Sequence, residues 1–151
     1  MKAILLDIDH TVSDAFWRDH LVGNASDPDS WDNYHWAGVN DKPIQEILDM
    51  LRVLSTAYFI VGVTARPERW RKMTMEWLLK YNVPIDELLM RPDNDFSRAP
   101  ELKIILAQRH FEGKLNDDVA FVLDDREDVV CAFRAIGITA LQVHAKRGLP
   151  Q

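Results

Sequence analysis

The strongest constraint on this chain is an alternation. Short apolar runs are separated by stretches of helical period, and the first three runs each end in a polar or acidic residue. The runs are KAILLD (2–7), YFIVGVT (58–64), VAFVLDD (119–125) and ITALQV (138–143). Each reads as a strand buried on both faces rather than one with a wet side. Between them lie PIQEILDMLRVL (43–54), PERWRKMTMEWLLKY (67–81), PELKIILAQRHF (100–111) and REDVVCAFRAI (126–136), the last followed by Gly137. Their apolar spacing is helical, three open on proline, and a glycine closes the fourth. Strands separated by helices predict an α/β fold: a parallel sheet with helices on both faces.

At 151 residues the chain is expected to form one domain with a core of its own, spanning 1–151. Residues 12–42 break the rhythm: they show no sustained period, are rich in Asp, Asn, Gly and Ser, and carry Trp17, Trp31, Tyr34 and Trp36. So long an aperiodic stretch inside a domain is usually functional. These aromatic residues can pack the segment or form a lip that stacks on a base, which tolerates any sequence.

The net charge of -6 excludes the basic footprint of a protein that holds long nucleic acids non-specifically. Any nucleic-acid contact is expected to be local: an end, a few nucleotides or a mononucleotide. No apolar run approaches the roughly 20 residues of a membrane span. One lysine and a handful of apolar residues before Asp7 do not read as a signal peptide. The single Cys131 forms no internal disulfide, which fits a reducing compartment, and it is expected in the core of its helix. A cytoplasmic protein without a membrane partner is the resulting expectation.

In a parallel sheet the carboxyl ends of the strands gather on one edge, where ligands bind. Asp7 and Asp9 follow the first strand, Thr64 and Arg66 the second, Asp124 and Asp125 the third. Carboxylates crowded together repel one another unless a divalent cation neutralises them, and oxygen-only ligands favour Mg²⁺. Arg66 and Lys103 offer positive charge suited to phosphate oxygens. An aspartate can attack phosphorus, and a second acid can protonate the leaving group and then activate water. Read singly, Asp7 and Asp9 fit a solvated turn and Lys103 a surface helix position. Arg66 fits a partner of Glu68 or Asp9, and Asp128 a helix N-terminal acid.

Together, DIDHT at 7–11, the strand ending in Thr64, Lys103 and the DD of 124–125 resemble the four motifs of the haloacid dehalogenase superfamily of phosphatases. The resemblance implies a Rossmann-like α/β fold of that type, with 12–42 as a minimal cap insert that leaves the site open to a bulky substrate. It implies Asp7 as nucleophile, Asp9 as acid/base, Thr64 and Lys103 as phosphate holders, and Mg²⁺ as cofactor. The metal would be held by Asp7, Asp9, Asp124 and Asp125. A narrower resemblance lies in TARPERWRKMTMEWL, LLMRPDNDFSRAPELK and VLDDREDVVCAFRAIGITALQV. These are similar to the phosphatase half of phage-type polynucleotide kinase–phosphatases, which remove 3′-phosphates from nucleic-acid ends. It implies Arg66 on the phosphate, Asp95 in the site, a phosphorylated nucleic-acid end or nucleotide as substrate, and a separate kinase or ligase as partner.

Two departures stand out. His10 occupies a position where the family usually has glycine, and the chain contains no GxxxxGK[ST] phosphate loop, so no kinase half is expected. His10, Trp17 and Trp36 join Asp95 as candidate substrate contacts. The competing readings are a nucleotidase or other small-molecule phosphatase, a non-catalytic Mg²⁺-binding partner module, and attack on carbon rather than phosphorus.

Overall fold

β1 (Ala3–Leu6) is apolar and buried at every position, as a strand with neighbours on both sides and helices on both faces must be. The computed structural model describes residues 1–24 and 26–143. After β1 comes the insert, which holds β2 (Ser13–Asp14), short 3₁₀ turns, α1 (Asp32–Ala37) and β3 (Lys42–Pro43). The body continues with α2 (Gln45–Leu54), β4 (Phe59–Pro67), α3 (Arg71–Lys80), β5 (Glu87–Arg91) and α4 (Ala99–His110). It closes with α5 (Leu115–Asp118), β6 (Val119–Asp124), α6 (Glu127–Ala135) and β7 (Ala140–Gln142).

Five strands pair in the order β5-β4-β1-β6-β7, all parallel. Alternation within β1 divides the core in two, because successive side chains point to opposite faces. Ala3 and Leu5 pack with Ala107 of α4 and with Val129, Val130 and Phe133 of α6. Ile4 and Leu6 pack with Leu48 and Leu51 of α2 and with Trp77 and Leu78 of α3. The parallel sheet with helices on both faces is thus as the sequence predicts. Gly137 adopts φ 86 just beyond α6, a left-handed turn that a Cβ would resist.

Three expectations change. A fifth strand, β5, lies within ELLMR, which carries too few residues and too much charge to stand out as a buried run. The 12–42 segment is built of short helical turns and a two-residue ladder between β2 and β3, held by polar contacts that no hydrophobic period would reveal. Cys131 is exposed: α6 turns Val129, Val130 and Phe133 inward and leaves position 131 on the outer face. Among the described residues no helix is long and apolar enough to cross a membrane.

Candidate active site

Asp7 follows β1 directly, and its N–H donates to the Leu123 carbonyl of β6 at 3.0 Å, which pins the strand end. Its carboxylate accepts from Lys103 Nζ at 2.7 Å on Oδ1 and from Thr11 Oγ1 at 2.8 Å on Oδ2. Lys103 stands one turn into α4, and its Nζ also donates to Asp124 Oδ2 at 2.6 Å. Asp124 is the last residue of β6, and its other oxygen accepts from Arg126 N at 2.9 Å. Asp125 comes next. Oxygens of Asp7, Asp124 and Asp125 lie within 4.8 Å of one another, and all three residues are buried.

This crowding is visible in the proton affinities. Burial first, then the negative charge of Asp7, pushes Asp124 up to about 6. Burial, Asp7 and Asp124 push Asp125 up to about 9. Burial acts to lower the Lys103 ammonium, but Asp124 and Asp7 outweigh it and raise the group above its ordinary value. One ammonium cannot balance three carboxylates, and the all-oxygen donor set fits a hard divalent cation.

A stability prediction arises here. Carboxyls raised in the folded chain bind protons more tightly there than in the unfolded chain. Their stabilising contribution is therefore greatest at acid pH and is lost as pH rises through about 6 and then about 9. In EDTA the melting temperature falls across that window, and Asp125→Asn flattens its upper part. Thermal melts at a series of pH values check this.

Asp9 stands apart from the three carboxylates. Its Oδ1 accepts from Arg18 Nη2 and Arg66 Nη2, each at 2.6 Å, and its Oδ2 accepts from Arg66 Nε at 3.0 Å. Burial alone would raise its carboxyl, but Arg66 and then Arg18 hold it well below the usual carboxylate range. The resemblance implies Asp9 at the metal as well; its side-chain oxygens are engaged by guanidiniums, and the carboxylates that cluster are those of Asp7, Asp124 and Asp125. Arg66 is thus paired with Asp9, while Glu68 accepts from Arg71. The strand register shifts between Thr64 and Pro67, and such a bulge re-aims side chains; Arg66 lies within it.

The remaining predicted residues distribute unevenly around a cavity of about 550 Å³. Thr64, Arg66, Lys103 and Asp125 line it together with Asp7 and Asp9. Asp95 lies on its wall, where its Oδ1 accepts from Ser97 N at 2.9 Å and Ser97 Oγ at 2.5 Å, shaping the loop before α4. Arg91 braces the same loop, donating to the Ser97 carbonyl at 2.7 Å and the Ala65 carbonyl at 2.9 Å. Trp17 and Trp36 are not among the lining residues. Trp17 donates its indole N–H to Asp41 at 2.9 Å, and Trp36 packs near Trp70 with ring centroids 6.2 Å apart. The aromatic lining is Trp31, Tyr34 and His35 from the insert and Phe96 from the loop before α4.

His10 also lines the cavity, and its backbone explains the glycine preference at this position: φ is 63. The ring packs on Phe16 with centroids 4.3 Å apart, and Nε2 lies 3.2 Å from Asp19. The position supplies loop shape, so His10→Gly is expected to keep both fold and turnover. His10→Val, branched at Cβ and averse to φ above zero, is expected to lose roughly 1–2 kcal/mol. Chemical denaturation of the three proteins checks the difference.

Sequence reasoning missed Arg18, Asp41, Thr11 and Arg91. The first two sit inside the aperiodic insert, where nothing in the pattern separates a buried ion pair from solvated charge.

Residues 1–147 match the family profile described as the polynucleotide kinase PNKP phosphatase domain. In the structure of a Pnkp1/Rnl/Hen1 complex, a chain similar to this one superposes with a TM-score of 0.73 at 27% identity, covering 94% of this chain and 45% of that one. A second structure, of the Pnkp1/Rnl/Hen1 RNA repair complex, gives 0.72 at 27% identity, covering 94% of this chain and 42% of that one. The chain therefore spans less than half the length of those two proteins. A putative HAD-hydrolase of Bacillus subtilis, YfnB, solved bound to magnesium, shares the fold with a TM-score of 0.71 at 10% identity, covering 99% and 90%. A haloacid dehalogenase-like hydrolase of Streptococcus pneumoniae gives 0.68 at 15% identity, covering 94% and 84%. No curated protein matches the sequence.

Proposed function

The chain belongs to the family of polynucleotide kinase PNKP phosphatase domains, and from that premise we propose that it is a Mg²⁺-dependent phosphomonoesterase that removes 3′-phosphates from nucleic-acid ends. The observation that carries the reading is the meeting of Asp7, Asp124, Asp125 and Lys103 in one buried cluster, three of whose members, Asp7, Asp125 and Lys103, line the same cavity as Asp9. Asp7, Asp124 and Asp125 would hold Mg²⁺. The ion, when bound, supplies charge that offsets the phosphoryl oxygens and the crowded carboxylates.

Asp7 is the nucleophile. Lys103 and Thr11 engage its two oxygens and fix its orientation, and attack on phosphorus forms an O–P bond to Asp7 while the bond to the sugar oxygen breaks. Lys103, Thr64 and Arg66 line the cavity and are the groups available to the transferred phosphoryl oxygens. Asp9 gives a proton to the departing oxygen in this first half, then takes one from the water that attacks the aspartyl-phosphate. In the free protein Arg66 and Arg18 keep Asp9 ionised, the state used by the second half. An anionic phosphoryl group nearby raises its proton affinity, which favours the state used by the first.

Similarity to a chain of an RNA repair complex supports a nucleic acid as the substrate class and partners within such a repair assembly. The acidic balance of the chain agrees with contact at an end rather than along a strand. The test is phosphate release from a 3′-phosphorylated oligonucleotide and from 3′- and 5′-mononucleotides, with Mg²⁺ or with EDTA. Mg²⁺-dependent release that is faster from the oligonucleotide is expected. Release confined to mononucleotides would move the function to nucleotide metabolism, and release from none would sink the enzyme.

A further inference from the structure

Asp41 takes no part in the chemistry above, yet it is wholly buried and fully engaged. Its Oδ1 accepts from Arg18 Nε and from Trp17 Nε1, each at 2.9 Å. Its Oδ2 accepts from Arg18 Nη2 at 2.7 Å and from Ser13 Oγ. Trp77 Nε1, from α3, donates to its main-chain carbonyl at 2.9 Å, which ties the insert to the body of the domain. A buried carboxylate is costly unless it is paired and hydrogen-bonded, and this one meets both conditions.

Its main partner reaches the reacting groups. Arg18, also wholly buried, lies over the Tyr34 ring at 4.2 Å and donates through Nη1 to the Tyr34 carbonyl at 2.9 Å. The Nη2 that serves Asp41 also contacts Asp9 Oδ1 at 2.6 Å. Arg66 Nη2 touches the same Asp9 oxygen and lies 3.9 Å from Asp41 Oδ2. Two carboxylates and two guanidiniums thus form a closed, charge-balanced group. Without Asp41, Asp9 alone would face both cations.

The backbone leaves room for this arrangement at one point. A Cβ on Gly38 would lie 3.2 Å from Arg18 Nη2, 3.3 Å from Arg18 Cζ and 3.5 Å from Arg66 Nη2. Gly38 has φ -59, which any residue can adopt, so space and not backbone conformation is what its missing side chain provides.

We propose that Asp41 is a positioning residue: it fixes Arg18 and, through Arg18 and Arg66, the placement of the Asp9 carboxylate against the leaving oxygen. The inference rests on the phosphatase reading above. Asp41 touches neither the carboxylate cluster nor the cavity, so its effect must pass through the guanidiniums.

The test compares two substrates of the same Asp7 chemistry. A 3′-phosphorylated oligonucleotide has a sugar alkoxide leaving group that needs a proton, whereas the nitrophenolate of p-nitrophenyl phosphate departs without one. Asp41→Asn turns an acceptor toward Arg18 into an N–H donor, and Gly38→Ala presses on Arg18 while keeping every charge. Single-turnover measurements follow the first half alone, since the later attack of water uses Asp9 with either substrate. In them both variants are expected to lose about tenfold or more in the rate of phosphoryl transfer from the oligonucleotide and less than about threefold in the nitrophenolate burst. A purely structural role would lower both substrates together. Should Asp41→Asn fail to fold, Gly38→Ala decides alone. Folded variants that change both substrates equally, or neither, overturn the inference while wild-type release keeps the phosphatase reading intact. A wild type that releases phosphate from neither substrate overturns both.

Discussion

Asp7→Asn is expected to abolish phosphate release, with kcat lower by at least about 10⁴-fold, because removing a covalent nucleophile leaves only binding and electrostatics. The fold should survive. Asn keeps an oxygen for Lys103 Nζ, and its amide can donate to the Thr11 hydroxyl in place of the present bond. The change also removes one of the charges that push Asp124 and Asp125 upward. In EDTA the variant should therefore melt no lower than wild type, while its response to Mg²⁺ shrinks. Single-turnover kinetics and paired thermal melts check both halves; a folded variant with more than a trace of turnover would refute the nucleophile.

Lys103→Met gives the second large effect, of opposite character. The ammonium bridges Asp7 and Asp124 inside the protein, and the substitution leaves both carboxylates without their cation. Breaking a buried pair in this way costs about 3–5 kcal/mol. Turnover should fall by about 10² to 10³, the usual consequence of removing one fixed donor from a developing anion. The distinguishing observation is the melt in Mg²⁺. A divalent ion among Asp7, Asp124 and Asp125 replaces part of the missing positive charge, so Mg²⁺ should raise the melting temperature of the variant more than that of wild type. An equal gain in both proteins would mean that Lys103 does not share its carboxylates with the ion.

Periodicity in a sequence encodes which faces of a strand or helix are covered, and little else. Leu5 and Leu6 announce a strand covered on both faces. Asp7, Thr64 and Asp124 together announce a polar edge, because one acid after a buried run fits a turn but three strand ends carrying polar groups meet on one side of a parallel sheet. Lys103 was visible only through resemblance: on its own, a lysine in a helix reads as surface. Arg18 and Asp41 were invisible. Their burial depends on each other and on a segment without period, so neither residue carries a mark until the chain has folded around both. β5 escaped for a related reason, since Glu87 and Arg91 at its ends dilute a short apolar centre. The aromatic expectation shifted by position: Trp31, Tyr34, His35 and Phe96 face the cavity, while Trp17 serves Asp41 and Trp36 leans toward Trp70.

The ties between the insert and the sheet have a consequence for breathing motions. Arg18 and Asp41 come from the two ends of the same excursion of the chain, and Arg66 comes from the rim of β4. Any local opening that lifts the insert away from the sheet frees Arg18 and Asp41 together and leaves Asp9 with Arg66 as its one remaining guanidinium partner. Short 3₁₀ turns bury little apolar area, so such an opening is expected to need less free energy than separation of the sheet strands. The fraction of molecules able to react at any instant is then the fraction with the insert closed. Amide protons of the insert should therefore exchange at a pace that sets the ceiling on activity as temperature rises, well before the sheet itself comes apart.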